Sequence, residues 1–217
     1  MIRGAIFDLD GTLGDTLPVC FAAFRSVFAR RLGRTLGDRE IQAMFGPSEE
    51  GILARLVPDD ADAALREYLD EYRLAHAGCA EPFPGVRETL EFLEARGVEL
   101  AIVTGKGPGS ARVSRDVLGL GGFFSAVEAG SPSGGVKPAA MRRVLARWGL
   151  PPASVIGVGD SPSDVRSAQE VGISSVAAAW APGTDGGALA ACGPDHVFRE
   201  VGALRRWLEQ SLPALRG

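Results

Sequence analysis

The stretch Ile2-Arg3-Gly4-Ala5-Ile6-Phe7-Asp8-Leu9-Asp10-Gly11-Thr12 governs how the rest of the chain is read. Ile2 to Asp8 is an apolar run with β-branched and aromatic residues, which predicts a strand. It ends in a carboxylate pair and a Gly11-Thr12 turn. From about Leu17 to Gly78 no strand pattern follows. Val19 to Leu32 places Phe21, Phe24, Val27, Phe28 and Leu32 at helical spacing, with Gly33 as a stop. Asp38 is expected to cap a short helix to Phe45, and Ser48 a third through Leu56. Asp59 or Asp60 opens a fourth that ends near Gly78.

The punctuation Pro82-Phe83-Pro84-Gly85 changes the pattern. Strands are predicted at Val98–Thr104, Ala126–Ala129, Val155–Val158 and Ser175–Ala179, with a weak one at His196–Phe198. Helices are predicted at Val86–Arg96, Ser110–Leu118, Pro138–Trp148, Ser163–Val171 and Val201–Leu212. Short buried strands alternating with helices make an α/β protein: a parallel sheet covered by helices on both faces. The first strand belongs to that sheet, so the helical block interrupts it. The expected division is residues 1–15 with 83–217 as the core and 16–82 as the inserted helical unit, with hinges at Gly14–Pro18 and Glu81–Gly85.

The chain has 217 residues, 46% hydrophobic and 23% charged, values of a globular protein with one substantial core. A net charge of −4 argues against a nucleic-acid binder. The longest apolar stretches, such as Val176 to Ala181, are too short to span a bilayer, and no signal-peptide pattern precedes Asp8. Three scattered cysteines fit a reducing cytoplasm rather than a disulfide framework or a zinc site. Of 23 basic residues only Lys106 and Lys137 are lysines.

Ligands of open α/β sheets bind beyond the carboxyl ends of the strands. Those ends carry Asp8 and Asp10, Thr104-Gly105-Lys106, and Gly159-Asp160-Ser161-Pro162-Ser163-Asp164, with Lys137-Pro138 opening a helix. Singly, each has a bland reading: a turn, a helix cap, a surface charge, a β residue. Together they converge on one edge of the sheet. Carboxylates so placed repel unless a cation sits among them, and oxygen ligands without His or Cys point to magnesium.

These motifs resemble those of the haloacid dehalogenase-like superfamily of phosphohydrolases. Asp8-Leu9-Asp10-Gly11-Thr12-Leu13 is similar to its first motif, Thr104 to the second, Lys137 to the third, and Gly159-Asp160 with Asp164 to the fourth. The helical insert resembles the small cap of the subfamily holding phosphoglycolate phosphatases, pyrophosphatases, β-phosphoglucomutases and phosphonatases. Pro82-Phe83-Pro84-Gly85-Val86 and Ile102-Val103-Thr104-Gly105-Lys106 look most like the first two branches.

The resemblance implies a Rossmann-like core and a magnesium-dependent phosphatase acting on a small phosphorylated metabolite, phosphoglycolate or a similar phosphomonoester favoured. It implies Asp8 as nucleophile and Asp10 as general acid and base. The metal would be held by Asp8, the Asp10 main-chain carbonyl and Asp160. Thr104, the Gly105 N–H and Lys137 would hold the phosphoryl oxygens, and Asp164 would orient a ligand or Lys137. The chain writes arginine almost everywhere, yet it has lysine at 137, where a compact ammonium suits phosphate. The loop Gly46-Pro47-Ser48 and Lys106 are expected to select the substrate, with Arg55 weaker. Asp15 and Thr16 are expected to cap the first helix, and His76 to lie near a helix end. Position 105 is Gly where relatives often carry Asn, Ala139-Ala140 replaces a second proline, and Gly130–Gly135 is unusually glycine-rich. The rivals are a pyrophosphatase, a phosphomutase and a non-catalytic binding module. A dehalogenase has no use for Asp10, and a phosphonatase needs a cap lysine that is absent here. No nucleic-acid or membrane partner is expected, and the assembly would be a monomer or homodimer.

Overall fold

The computed structural model describes residues 1–212. Residues 213–217 of the expected 83–217 span lie outside the described residues. Six parallel strands form one sheet: β1 (Gly4–Phe7), β2 (Glu99–Val103), β3 (Ala126–Glu128), β4 (Val155–Gly159), β5 (Ser174–Ala178) and β6 (His196–Phe198). Their order is β3-β2-β1-β4-β5-β6. The chain winds outward in both directions from β1, so the crevice beyond β1 and β4 is where the order reverses and where such sheets bind ligands.

The period of two along β1 divides the core. Ala5 and Phe7 join the cluster under α5 (Val86–Glu94) and α10 (Val201–Ser211), with Leu90, Leu93, Leu204 and Leu208. Ile6 faces the other side, with Met141, Val144 and Leu145 of α7 (Lys137–Trp148) and Ala168 of α8 (Pro162–Val171). Both faces are covered, which is why the strands read as continuous apolar runs.

The segment between β1 and α5 folds as four α-helices: α1 (Leu17–Leu32), α2 (Asp38–Gln42), α3 (Glu49–Leu56) and α4 (Ala61–Ala75). They share their own cluster, in which Phe24, Phe28, Ile41, Leu53, Tyr68 and Tyr72 are fully buried. Burying each large side chain contributes roughly 1.5–3 kcal/mol. Arg30 on α1 bridges Glu67 and Glu71 on α4 across the surface of the pair. The two ends of the insert meet: the Phe83 N–H donates to the Leu13 carbonyl at 3.0 Å. One core helix, α6 (Pro108–Val117), leans on the insert. Its Val113 joins the helical cluster, and its Ser114 hydroxyl lies 2.7 Å from Tyr72 Oη and 2.9 Å from His76 Nε2.

Local details differ from the sequence reading. Gly37, not Asp38, occupies the N-cap of α2, and Glu40 accepts from its N–H, so the helix starts one residue earlier, at Asp38, and ends at Gln42 rather than Phe45. His76 does lie at a helix end, as the C-cap of α4, and is buried there in a short 3₁₀ turn, its Nδ1 2.8 Å from the Cys79 carbonyl, with burial holding its pKa below the ordinary value. A helix missed by periodicity, α9 (Gly186–Ala191), starts where Asp185 accepts from the Ala188 N–H. Its two glycines hide it, since glycine costs about 1 kcal/mol in a helix.

Candidate active site

The carboxyl ends of β1, β2 and β4 open into a cavity of about 790 Å³ between the sheet and the helical insert. Asp8 follows β1 directly and is anchored by its N–H, which donates to the Val158 carbonyl on β4 at 2.9 Å. Asp160 follows β4. Asp8, Asp160 and Asp164 each offer a carboxylate oxygen, all within 4.8 Å of one another. Asp8 Oδ1 is buried and has no hydrogen-bond partner. Burial pushes the Asp8 carboxyl up to about 7, with Lys137 opposing and the Asp164 and Asp10 charges adding to the rise. Burial likewise pushes Asp160 up to about 8, with the Asp8 and Asp164 charges adding. An orphaned buried carboxylate oxygen beside a second crowded carboxylate is a fit for a hard divalent cation, and no softer ligand stands in the group.

The neighbours of this group are charged and rigid. Lys137 Nζ lies 3.1 Å from Asp8 Oδ2 and also binds Asp164 Oδ1. Burial opposes its charge, but the Asp164 and Asp8 carboxylates outweigh that and hold its pKa above the ordinary lysine value. Asp164 is committed on both oxygens. Its Oδ2 accepts from the Ser161 N–H at 3.1 Å and from the Ser161 hydroxyl, in the reciprocal cap that opens α8. It therefore links Lys137 to Ser161 at the start of α8. Thr104 directly follows β2 and is buried, and its Oγ1 accepts from the Lys106 N–H at 3.3 Å. Thr104, Gly105 and Lys137 all line the cavity.

Gly11 shows why the first motif needs glycine. Its φ is +69°, and a Cβ there would fall inside the Asp160 carboxylate. Gly11→Ala is therefore expected to cost roughly 1–3 kcal/mol through strain and to lower the thermal midpoint by about 2–10 °C. A differential scan checks this, and an unchanged midpoint would contradict the close approach.

Two of the sequence readings need correction. Thr16 stands at the N-cap of α1 but makes no capping bond; its hydroxyl donates to Asp10 Oδ1 instead. Lys106 would stand either at the mouth of the site as a substrate contact or on the loop as an exposed charge, but it is buried: its side chain is 2% exposed. Its Nζ lies 3.3 Å from Asp10 Oδ1, 3.9 Å from Glu49 Oε1 and 4.5 Å from the Tyr72 ring centroid. Gly46, Pro47 and Ser48 do line the insert side of the cavity, and Arg55 is exposed and does not. The Ser48 N–H donates to the Ser131 carbonyl at 2.9 Å, so the glycine-rich loop touches the insert at the rim. Glu49, buried beside Lys106, is a residue that sequence reasoning misses. Its one signal is its place directly after Ser48.

A profile of the family described as "haloacid dehalogenase-like hydrolase" matches residues 5–178. A phosphoglycolate phosphatase of Pseudomonas syringae pv. tomato is 35% identical over 81% of this chain and 68% of its own length. The pyrophosphatase PpaX of Oceanobacillus iheyensis is 27% identical over 92% of this chain and 94% of its own. A haloacid dehalogenase-like family hydrolase of Streptococcus pneumoniae superposes with a TM-score of 0.76 at 27% identity, over 95% of this chain and 98% of that one.

Proposed function

This chain belongs to the haloacid dehalogenase-like hydrolase family, and we propose that it hydrolyses small phosphomonoesters through an aspartyl-phosphate on Asp8. It is a phosphatase of that family. The observation that carries the mechanism is the buried, unpartnered Asp8 Oδ1 at the cavity floor, with Lys137 Nζ 3.1 Å from the other oxygen.

The Asp8 carboxylate attacks phosphorus, and the bond to the ester oxygen breaks while Asp10 gives that oxygen a proton. Water then attacks phosphorus, returns a proton to Asp10 and frees Asp8 as inorganic phosphate leaves. One hard displacement becomes two easier ones. Lys137, the Thr104 hydroxyl and the Gly105 N–H line the cavity where the phosphoryl oxygens would lie, as preorganised donors. Asp8, Asp160 and the Asp10 main-chain carbonyl would hold magnesium, which supplies the positive charge that lets an anionic nucleophile meet an anionic phosphate. Asp164 braces Lys137 throughout.

Phosphoglycolate leads the candidate substrates because several relatives bear its phosphatase's name. Lys106 lines the cavity beside Asp10, as Lys137 does beside Asp8. Pyrophosphate is the second reading, from the relative that spans almost the whole chain. A phosphomutase must hold a second phosphate under the cap. The cap side offers Leu17, Cys20, Phe24, Phe45 and Ile52, and the charge it adds is Glu49, so that reading is disfavoured.

Phosphate release with magnesium from phosphoglycolate, other phosphomonoesters and pyrophosphate tests the proposal. Expected is metal-dependent release from monoesters exceeding that from pyrophosphate. Release from pyrophosphate alone would transfer the reading to the second candidate, and no release at all would defeat both.

A further inference from the structure

Lys106 and Glu49 are buried charges that the mechanism above does not use. Glu49 opens α3 in the insert but sends its carboxylate into the core. Its Oε2 accepts the N–H of Gly107, the N-cap of α6, and its Oε1 accepts the Ser110 hydroxyl at 2.6 Å. The same Oε1 stands 3.9 Å from Lys106 Nζ. Lys106 in turn meets Asp10 at Oδ1, the oxygen that also accepts the Thr16 hydroxyl. Both contacts thus fall on one oxygen of Asp10, and Oδ2 is left for the leaving group.

Charges this deep persist only when paired, because removing one partner strands the other. The insert therefore cannot lift away without stripping Glu49 from α6 and Lys106 of one of its two carboxylates. We infer that Glu49 and Lys106 are positioning residues, through which closure of the helical insert on the core holds Asp10 in the orientation that protonates the leaving oxygen. This rests on the phosphatase reading and deepens it. Lys106 acts through Asp10 and Glu49 through Lys106.

The test uses two monoesters without a second anion, so contact of the ammonium with substrate cannot mimic the effect. Glycerol 2-phosphate has an alkoxide leaving group that needs a proton; p-nitrophenyl phosphate has one that scarcely does. General acid catalysis is typically worth ~10²–10⁴-fold. Lys106→Met is expected to lose on the order of 10²-fold in kcat on glycerol 2-phosphate. Its loss on p-nitrophenyl phosphate should be at least about 10-fold smaller. Glu49→Ala should show the same order of losses with a smaller ratio, a raised KM and faster hydrogen exchange at the Gly107 amide. Glu49→Gln, which keeps an acceptor for that amide, should restore the exchange protection. If Lys106→Met fails to fold, Glu49→Ala decides alone. Equal losses on the two esters overturn the inference, whatever exchange shows. Failure of the unaltered protein to hydrolyse either ester would instead overturn the phosphatase reading, before any variant is measured.

Discussion

Asp8→Asn is expected to lower phosphate release by on the order of 10⁴–10⁶-fold, the scale seen when a covalent nucleophile is removed. The change is nearly isosteric, and the Asp8 N–H bond to the Val158 carbonyl stays in place. An amide cannot form the acyl phosphate, so the two-step path closes rather than slows. Lys137 keeps Asp164 as its partner and the crowding beside Asp160 is relieved, so the fold should not suffer. Phosphate release and the trapping of a phosphorylated Asp8 in the unaltered protein are the measurements. A variant within about 10-fold of the unaltered kcat would exclude Asp8 as nucleophile, because a general base or a positioning group is worth more than that.

Metal and pH should act together on stability. In the metal-free protein Asp8 and Asp160 hold their protons up to about 7 and about 8, against a reference value of 3.8 for both. The folded state thus binds more protons than the unfolded one, and stability falls as pH rises from about 4 to about 8. Lys137, raised above its ordinary 10.5, is charged in both states over this window and adds no slope. The expected penalty at pH 8 is a few kcal/mol, since each tenfold change in proton affinity corresponds to about 1.4 kcal/mol before relaxation and water entry reduce it. Thermal midpoints in chelator should therefore be higher at pH 5.5 than at pH 8. Magnesium should raise the midpoint more at pH 8, where the carboxylates are ready to bind. At 100-fold over Kd the gain is about 2.7 kcal/mol, or about 5–10 °C for a chain of this size. Asp160→Asn should raise the chelated midpoint at pH 8, because one of the crowded charges is gone, and erase most of the magnesium response. A chelated midpoint that climbs from pH 5.5 to 8, or an undiminished response in Asp160→Asn, would contradict the cluster as a cation site.

The strand-end residues were legible because their chemistry is local. Asp8-Leu9-Asp10-Gly11-Thr12 and Gly159-Asp160 carry acid groups at fixed offsets from apolar runs, and a parallel sheet must deliver such offsets to one edge. Phe24 and Phe28 were readable as core for the same reason, since helical spacing puts them on one face. Short-range signals failed where a side chain had a choice of partner. Thr16 had the position and the residue type of a cap, yet its hydroxyl chose Asp10, six residues earlier. Gly186-Gly187 disguised α9, because propensity is a weak prior that tertiary contact overrides.

By itself, then, the sequence determined the α/β architecture, the interrupting helical block and the placing of the carboxylates and Lys137 at the strand and helix ends, because periodicity and spacing along the chain encode them. Only the tertiary structure decided the sheet order, the burial of Lys106, and the partnership of Glu49 with Gly107 and Ser110, which lie 58 and 61 positions away. No local pattern encodes a contact across that separation. Whether an ammonium is a solvated surface charge or a buried bridge depends on which helix closes over it, and that is settled by packing.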